Sequence, residues 1–309
     1  MLISCNNDNG DGDLTGNWVA STVFDGVPRS GAISQTIGNF AYVGLGYDGD
    51  DYLKDFWEYN IEGGFWIRRP DFPGEGRNLA VSFAIGTSLY VGTGYNGSEE
   101  LSDFYRYDTT TQTWTQVADF GAGIRRSAVG FGIGTSGYVG LGYDGSNDKK
   151  DFWKYDPVTN TWEQKFGFGG GKRRDAISFT IDNITYVGTG KSNGIDLNDF
   201  YGFDHQTETW FKLTDLNEDD DYEVKRSNGV AFVQNGKGYV CTGSTASTWE
   251  YDPNTDLWKE LSQFEGSIRQ DAVSISNGSR GFVLLGRSGN LYFDDMYEFF
   301  PTAKYDDED

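Results

Sequence analysis

Short apolar runs, four to seven residues long and rich in Val, Ile, Phe, Tyr and Trp, alternate with clusters of Gly, Asp, Asn and Pro. Runs of that length between turn residues predict β-strands. No window sustains apolar spacing at i, i+3, i+4 and i+7, so essentially no helix is predicted. The runs also recur. Trp18, Trp66, Trp114, Trp162, Trp210 and Trp258 stand 48 residues apart, and a constant period in this range marks a repeat architecture.

A whole unit repeats around each tryptophan. An arginine opens it in the pattern R-x-x-[AG]-[VI], at Arg29, Arg77, Arg125, Arg173, Arg226 and Arg269. A small-residue alternating run follows, such as AVSFAI or AISFTI. An aromatic-Val strand ending in glycine comes next: YVGLG at 42–46, YVGTG at 90–94, YVGLG at 138–142 and YVGTG at 186–190. A turn with Asp-Gly or Asn-Gly leads to an aromatic strand (DFWEYN, DFYRYD, DFWKYD, DFYGFD). A second turn, explicit in Asp156-Pro157 and Asp252-Pro253, leads to the tryptophan strand. Four antiparallel strands with Gly and aromatic motifs at fixed offsets describe a propeller blade. The small first strand suits the crowded axis, and the tryptophan strand suits the wider rim. The sixth unit, from Arg269, has no tryptophan of its own. Trp18 supplies the missing strand, closing the ring and removing exposed sheet edges. The expectation is an all-β, six-bladed β-propeller with four antiparallel strands per blade, its N-terminal strand closing the last blade.

The order of Arg, Gly-x-Gly, Tyr-Asp and Trp resembles the kelch repeat, over residues 17 to about 300. Most kelch units carry a Gly-Gly pair after the second strand. Here it is Gly-x-Gly (Gly44/Gly46, Gly92/Gly94, Gly140/Gly142, Gly188/Gly190), and units five and six read Cys241-Thr242-Gly243 and Leu284-Leu285-Gly286. The expected division is a leader remnant and flexible acidic spacer at 1–16, one propeller at 17–300 and an acidic tail at 301–309.

Composition narrows the function classes. A net charge of −22 makes the chain a poor candidate for nonspecific nucleic-acid binding, which runs on cationic surface. No apolar stretch approaches the roughly 18 residues of a spanning helix. Leu2-Ile3-Ser4-Cys5 resembles the last signal-peptide residues and acceptor cysteine of a bacterial lipoprotein, and NNDNGDGD at 6–13 would be a spacer behind the anchor. The resemblance implies a monomeric outer-membrane lipoprotein of a Gram-negative cell envelope, periplasmic or surface-exposed. It would meet the membrane only through a lipid anchor at Cys5. Cys241, inside a predicted strand, is expected as a small buried hydrophobe.

Alternating strand direction puts the loop before the first strand and the loop after the second strand on one face. That face is expected to carry the six arginines Arg29, Arg77, Arg125, Arg173, Arg226 and Arg269 around the channel mouth. An arginine fork suits a carboxylate, sulfate or phosphate. The same arginines, with Asp55, Asp103, Asp151, Asp199 and Asp295, read equally as interblade salt bridges. Symmetry breaks elsewhere. Arg126 and Arg174 stand where Ser30, Asn78, Ser227 and Gln270 stand in other units. After Gly-x-Gly the residue is Tyr47, Tyr95 or Tyr143 in three units, but Lys191, Ser244 and Arg287 in the rest. Arg126, Arg174, Lys191 and Arg287 are expected to matter more for binding than for folding. Flanked by tyrosines that stack, they would suit an anionic glycan or an acidic protein segment.

No metal and no cofactor are expected. His205, the only histidine, lies in the turn before Trp210, on the opposite face. The acidic runs at 48–51 and 218–221 lack the spaced ligands of a calcium loop. Kelch proteins are also likened to galactose oxidase, whose copper site needs two histidines and a cysteine-crosslinked tyrosine, and one histidine cannot supply it. Two functions remain: a noncatalytic binding module for an anionic ligand, or a sugar-acid epimerase or mutarotase resembling the kelch N-acetylneuraminate epimerases. No catalytic residue can be assigned from sequence.

Overall fold

The computed structural model describes residues 15–216, 224–306 and 308. Among them there is no helix; six four-stranded antiparallel sheets account for the regular structure, with two short two-stranded ladders. Blade one runs Ile33–Ile37, Phe40–Gly44, Phe56–Asn60 and Phe65–Arg69, first strand innermost. Blades two to five open at Val81–Ile85, Val129–Ile133, Ile177–Ile181 and Val230–Gln234 and repeat the meander. The six first strands touch their neighbours in a closed circle, so they surround the axis.

The sixth blade takes three strands from the C-terminal part, Val273–Ser276, Gly281–Leu284 and Met296–Lys304. Its outer strand, Thr15–Ala20, comes from the other end of the chain. Trp18 lies opposite Phe299 and is fully buried. The closing strand therefore works as expected, and strand pairing reaches from Thr15 to Lys304, slightly beyond the expected 17–300.

The core lies between blades. Trp114 of blade two sits 5.0 Å from Phe56 of blade one, and its indole donates to Pro70 O at 2.9 Å. Such aromatic contacts replace the single core of an ordinary domain.

The Gly-x-Gly motif has a mechanical reason. In all six units the middle residue and the second glycine have positive φ (Leu45 61°, Gly46 103°). That turn aims the glycine N–H at the carbonyl of the next blade's repeating arginine, as in Gly46 to Arg77 O at 2.8 Å and Gly286 to Arg29 O at 2.8 Å. The first glycine answers a different need. A Cβ on Gly44 would lie 2.7 Å from Phe56. Where Phe becomes Thr248 or Met296, the glycine is replaced by Cys241 or Leu284. The drift in units five and six is thus a paired exchange of bulk. Cys241 is fully buried, packed with Trp18, Val230 and Tyr239, and burial pushes its thiol up to about 12.

Candidate ligand-binding face

Five blades raise an eleven-residue crossover between second and third strands, at 45–55, 93–103, 141–151, 189–199 and 285–295. Each folds back as a narrow arm. Bridges such as Tyr47 to Tyr52, Tyr95 to Glu100 and Tyr143 to Asp148 close three of them, and short ladders pair Lys191 with Asp196 and Arg287 with Tyr292. In the first three arms Asp48, Asn96 and Asp144 cap the turn by accepting two backbone N–H groups each. Asp48 of the first acidic run is thus a turn cap. The second run, at 218–221, lies outside the described residues, as does Cys5.

The repeating arginines do not line the mouth. All six residues are 0% exposed. Arg29 pairs with Asp55 at 2.5 Å, Arg77 with Asp103 at 2.5 Å and Arg125 with Asp151 at 2.8 Å; Arg173 pairs with Asp199 and Arg269 with Asp295. These pairs lie within a blade, not between blades as expected. What links blades is the arginine carbonyl described above. Each paired guanidinium also covers a phenylalanine five residues upstream, as Arg77 covers Phe72 at 4.9 Å. Burial alone would raise the Asp55 and Asp151 carboxyls, but hydrogen bonds and charge from Arg29 and Arg125 outweigh it and hold both below the usual range. As ligand contacts these six are therefore corrected: a buried, multiply bonded guanidinium has nothing left to offer a ligand.

The symmetry-breaking residues behave differently. They join into a belt around the mouth. Tyr292 meets Tyr47 at 6.0 Å, Tyr47 meets Tyr52 at 4.7 Å, and Tyr52 meets Tyr95 at 5.9 Å. Arg126 then lies between Tyr95 at 4.8 Å and Tyr143 at 5.1 Å, and Arg174 covers Tyr143 from 4.7 Å. Lys191 pairs with Asp175 at 2.9 Å and donates to Asn228 at 3.1 Å. The Asn228 amide donates to Asp271 at 2.5 Å, and Asp271 holds Arg287 at 3.2 Å. Tyr47, Tyr95 and Tyr143 also donate their hydroxyls to Gly49, Gly97 and Gly145 of their own arms.

Inside the belt the backbone closes a ring. The residue two after each repeating arginine, at 31, 79, 127, 175, 228 and 271, adopts positive φ and donates its N–H to the carbonyl of its neighbour in the preceding blade. Gly31 to Asp271 O at 2.8 Å completes the circle. The side chains on this ring in blades four to six are Asp175, Asn228 and Asp271. Burial pushes the Asp271 carboxyl up, reinforced by the nearby Asp175 charge and opposed by Arg287 and Asn228.

Each belt cation has a carboxylate. Arg126 faces Glu100 at 3.3 Å, and Arg174 bonds Asp148, whose side chain is 3% exposed, at 3.0 Å. The expectation that these cations are dispensable for folding is therefore revised, because removing Arg174 strands a buried carboxylate. Glu100, Asp148, Tyr52 and Tyr292 were missed in the sequence, although each stands five residues after a rim residue already singled out. Asp175, Asn228 and Asp271 were missed because an axial ring contact leaves no hydrophobic signature.

His205 lies on the opposite face. It approaches Tyr138 at 3.4 Å, beside Glu208, which binds Lys154 at 2.5 Å and Lys165 at 3.0 Å. This cluster ties blade four to blade three.

The profile of the KLHDC2/KLHL20/DRC7 Kelch-repeats domain matches residues 80–243. The chain belongs to the Kelch-repeat family. No curated protein matches the sequence. Among solved structures, one described as "Structure of YjhT" superposes with a TM-score of 0.74 at 17% identity, over 89% of this chain and 95% of that one. At that identity the likeness shows the kelch propeller fold and nothing finer. Kelch propellers serve as binding or enzyme-like modules in general, so the ligand must be argued from the site.

Proposed function

We propose that this kelch propeller is a noncatalytic binding module whose armed face recognises a glycan bearing an acidic sugar. The observation that carries the reading is the ladder Tyr95–Arg126–Tyr143–Arg174. Its guanidiniums are stacked in place yet remain 28% and 26% exposed, with donors left over beyond their ion pairs. Stacking fixes a planar fork at low entropic cost, which suits bidentate contact to a sugar carboxylate. Tyr47, Tyr52 and Tyr292 continue the ladder as an apolar and hydroxyl-bearing wall for sugar rings. Because each belt cation has its own carboxylate, selection depends on contact geometry more than on long-range attraction.

A glycan screen tests this. Acidic saccharides should be retained, and Arg126→Ala should lower their affinity about tenfold or more, as loss of a desolvated charge contact does. Retention of acidic peptides with no saccharide bound would overturn the glycan reading. We also place the module at the cell envelope, tethered through Cys5. Detergent-phase partitioning that persists in Cys5→Ala would contradict the anchor.

A second reading, a sugar-acid epimerase, has one observation in its favour. Asp175 and Asp271, 7% and 9% exposed, share the axial ring, and burial with the nearby Asp175 charge pushes Asp271 toward its protonated form. One acid and one base could exchange protons with a sugar there. Mutarotation of an acidic sugar, accelerated by the protein and lost in Asp271→Asn, is the result that would favour it over binding alone.

A further inference from the structure

Blade five breaks the pattern twice at one place. Its crossover has only six residues, 242–247, against eleven in every other blade. Among the described residues no arm stands over it. A notch is left between the arms of blades four and six, which carry Lys191 and Arg287 at their bases. The second break lies beneath the notch. Where the other blades set an aspartate against the repeating arginine, blade five sets Ser247.

Ser247 keeps the geometry and drops the charge. Its hydroxyl accepts from Arg226 at 2.9 Å and from the Trp249 indole at 3.2 Å, as Asp55 accepts from Arg29 and from Trp57. The other Arg226 donors go to the carbonyls of Val224, Thr242 and Ser247. Among the described residues no carboxylate forms an ion pair with Arg226, although it is 0% exposed. Burial pushes its guanidinium down to about 10, with Cys241 and Glu260 acting weakly the other way, so it stays charged at neutral pH. A buried cation is seldom left without a counter-charge. Five blades of the same fold show where that counter-charge belongs.

The charges around the notch can be weighed. Asp175 and Asp271 are spent on Lys191 and Arg287. Among the described residues no ion pair balances Arg226, which stands beside the exposed Lys225, and the exposed Ser244 adds a hydroxyl at the notch floor. Lys191 and Arg287 are 25% and 37% exposed, so both present donors to the opening.

We propose that the notch over blade five is a second anion seat, apart from the Arg126–Arg174 ladder, that takes a carboxylate of an acidic saccharide between Lys191 and Arg287, above Arg226, with which no described carboxylate forms an ion pair. The ligand supplies from outside the negative charge that aspartate supplies within the other blades. Arg226 acts through its field, and contact is made by Lys191, Arg287 and Ser244. The identity of the ligand rests on the saccharide reading above; the seat itself does not.

Restoring the repeat tests it. Ser247→Asp should fold, because five blades hold that residue in the same place, and its melting temperature should rise. Affinity for glucuronate at the notch, read from the resonances of Lys191, Ser244 and Arg287 in an NMR titration, should fall about tenfold or more, while methyl glucoside is affected less than twofold. Ser247→Asn, similar in size but neutral, should keep glucuronate affinity near wild type, and Lys191→Gln should lower it. Glucuronate affinity unchanged within about twofold in Ser247→Asp overturns the seat. So does the absence of any carboxylate binding to the wild-type protein. The two readings separate cleanly. A saccharide that binds and ignores Ser247→Asp removes the seat and leaves the saccharide site. Acetate that perturbs the notch only when Ser247 is present, with no saccharide bound, keeps the seat and removes the saccharide reading.

Discussion

Trp18 closes the ring, and its replacement gives a worked prediction. The side chain is 0% exposed. It lies 4.5 Å from Phe299 within blade six, and 5.0 Å from Phe264 and 6.2 Å from Phe232. Its indole donates to Thr248 of blade five at 3.2 Å. Trp18→Ala therefore empties the seam between two blades and strands a buried hydroxyl. Large-to-small aromatic changes cost about 3–5 kcal/mol, and losing the hydrogen bond adds about 1 kcal/mol. Trp114→Ala is the control, because that ring is only partly buried; it should cost about 2 kcal/mol less. Urea denaturation followed by far-UV circular dichroism reads both. Deleting residues 1–21 should lower stability at least as much as Trp18→Ala, since it also opens the edge of the last sheet. A Trp18→Ala loss below about 1 kcal/mol, or a truncation as stable as the full chain, would refute the closure.

Other outcomes follow from the paired charges. Asp103→Ala should destabilise by about 3–5 kcal/mol, because it leaves Arg77 buried without its carboxylate; a loss under about 1 kcal/mol in thermal or urea unfolding would mean the pairs are incidental. Arg174→Ala should cost about 1–3 kcal/mol through the stranded Asp148, and a neutral result would return Arg174 to a purely binding role. Glu208 is pushed up by burial, but Lys154, Lys165 and Tyr138 outweigh this and bring it down to about 2, from a usual 4.5. A depressed carboxylate stabilises above its unfolded value, and that stabilisation is lost as pH falls through the folded one. Glu208→Gln should therefore cost about 2 kcal/mol near neutral pH, allowing for solvent screening, and the gap to wild type should close between about pH 4.5 and 2. A gap that does not change with pH would contradict the assignment.

The propeller was legible because its signals are local and repeated. The tryptophan step, the Gly-x-Gly turns and the absence of a sixth tryptophan in the C-terminal unit fixed blade count and closure. The site was less legible because burial is invisible in a repeat. Arg77 and Arg126 stand on the same loop type, yet one is sealed under Phe72 and Asp103 while the other stacks at the rim. The Phe five residues before the arginine carried that information. The ring residues Asp175, Asn228 and Asp271 could have been found from their tolerance of positive φ, which Gly31 shares. The steady 48-residue step also hid blade five's anomaly. Its shortened crossover is offset by extra residues before Arg226, so Trp210 and Trp258 keep their spacing.

The central claim is that the armed face, not the opposite face or the axial channel, is where this propeller binds. Backbone and side-chain NMR shifts on titration with an acidic saccharide test it most directly. The account predicts perturbations at Tyr52, Arg126, Arg174, Lys191, Ser244 and Arg287, with His205 and Glu208 unmoved. Shifts confined to the Glu208 cluster, or to channel residues such as Ser178 and Thr180, would contradict it.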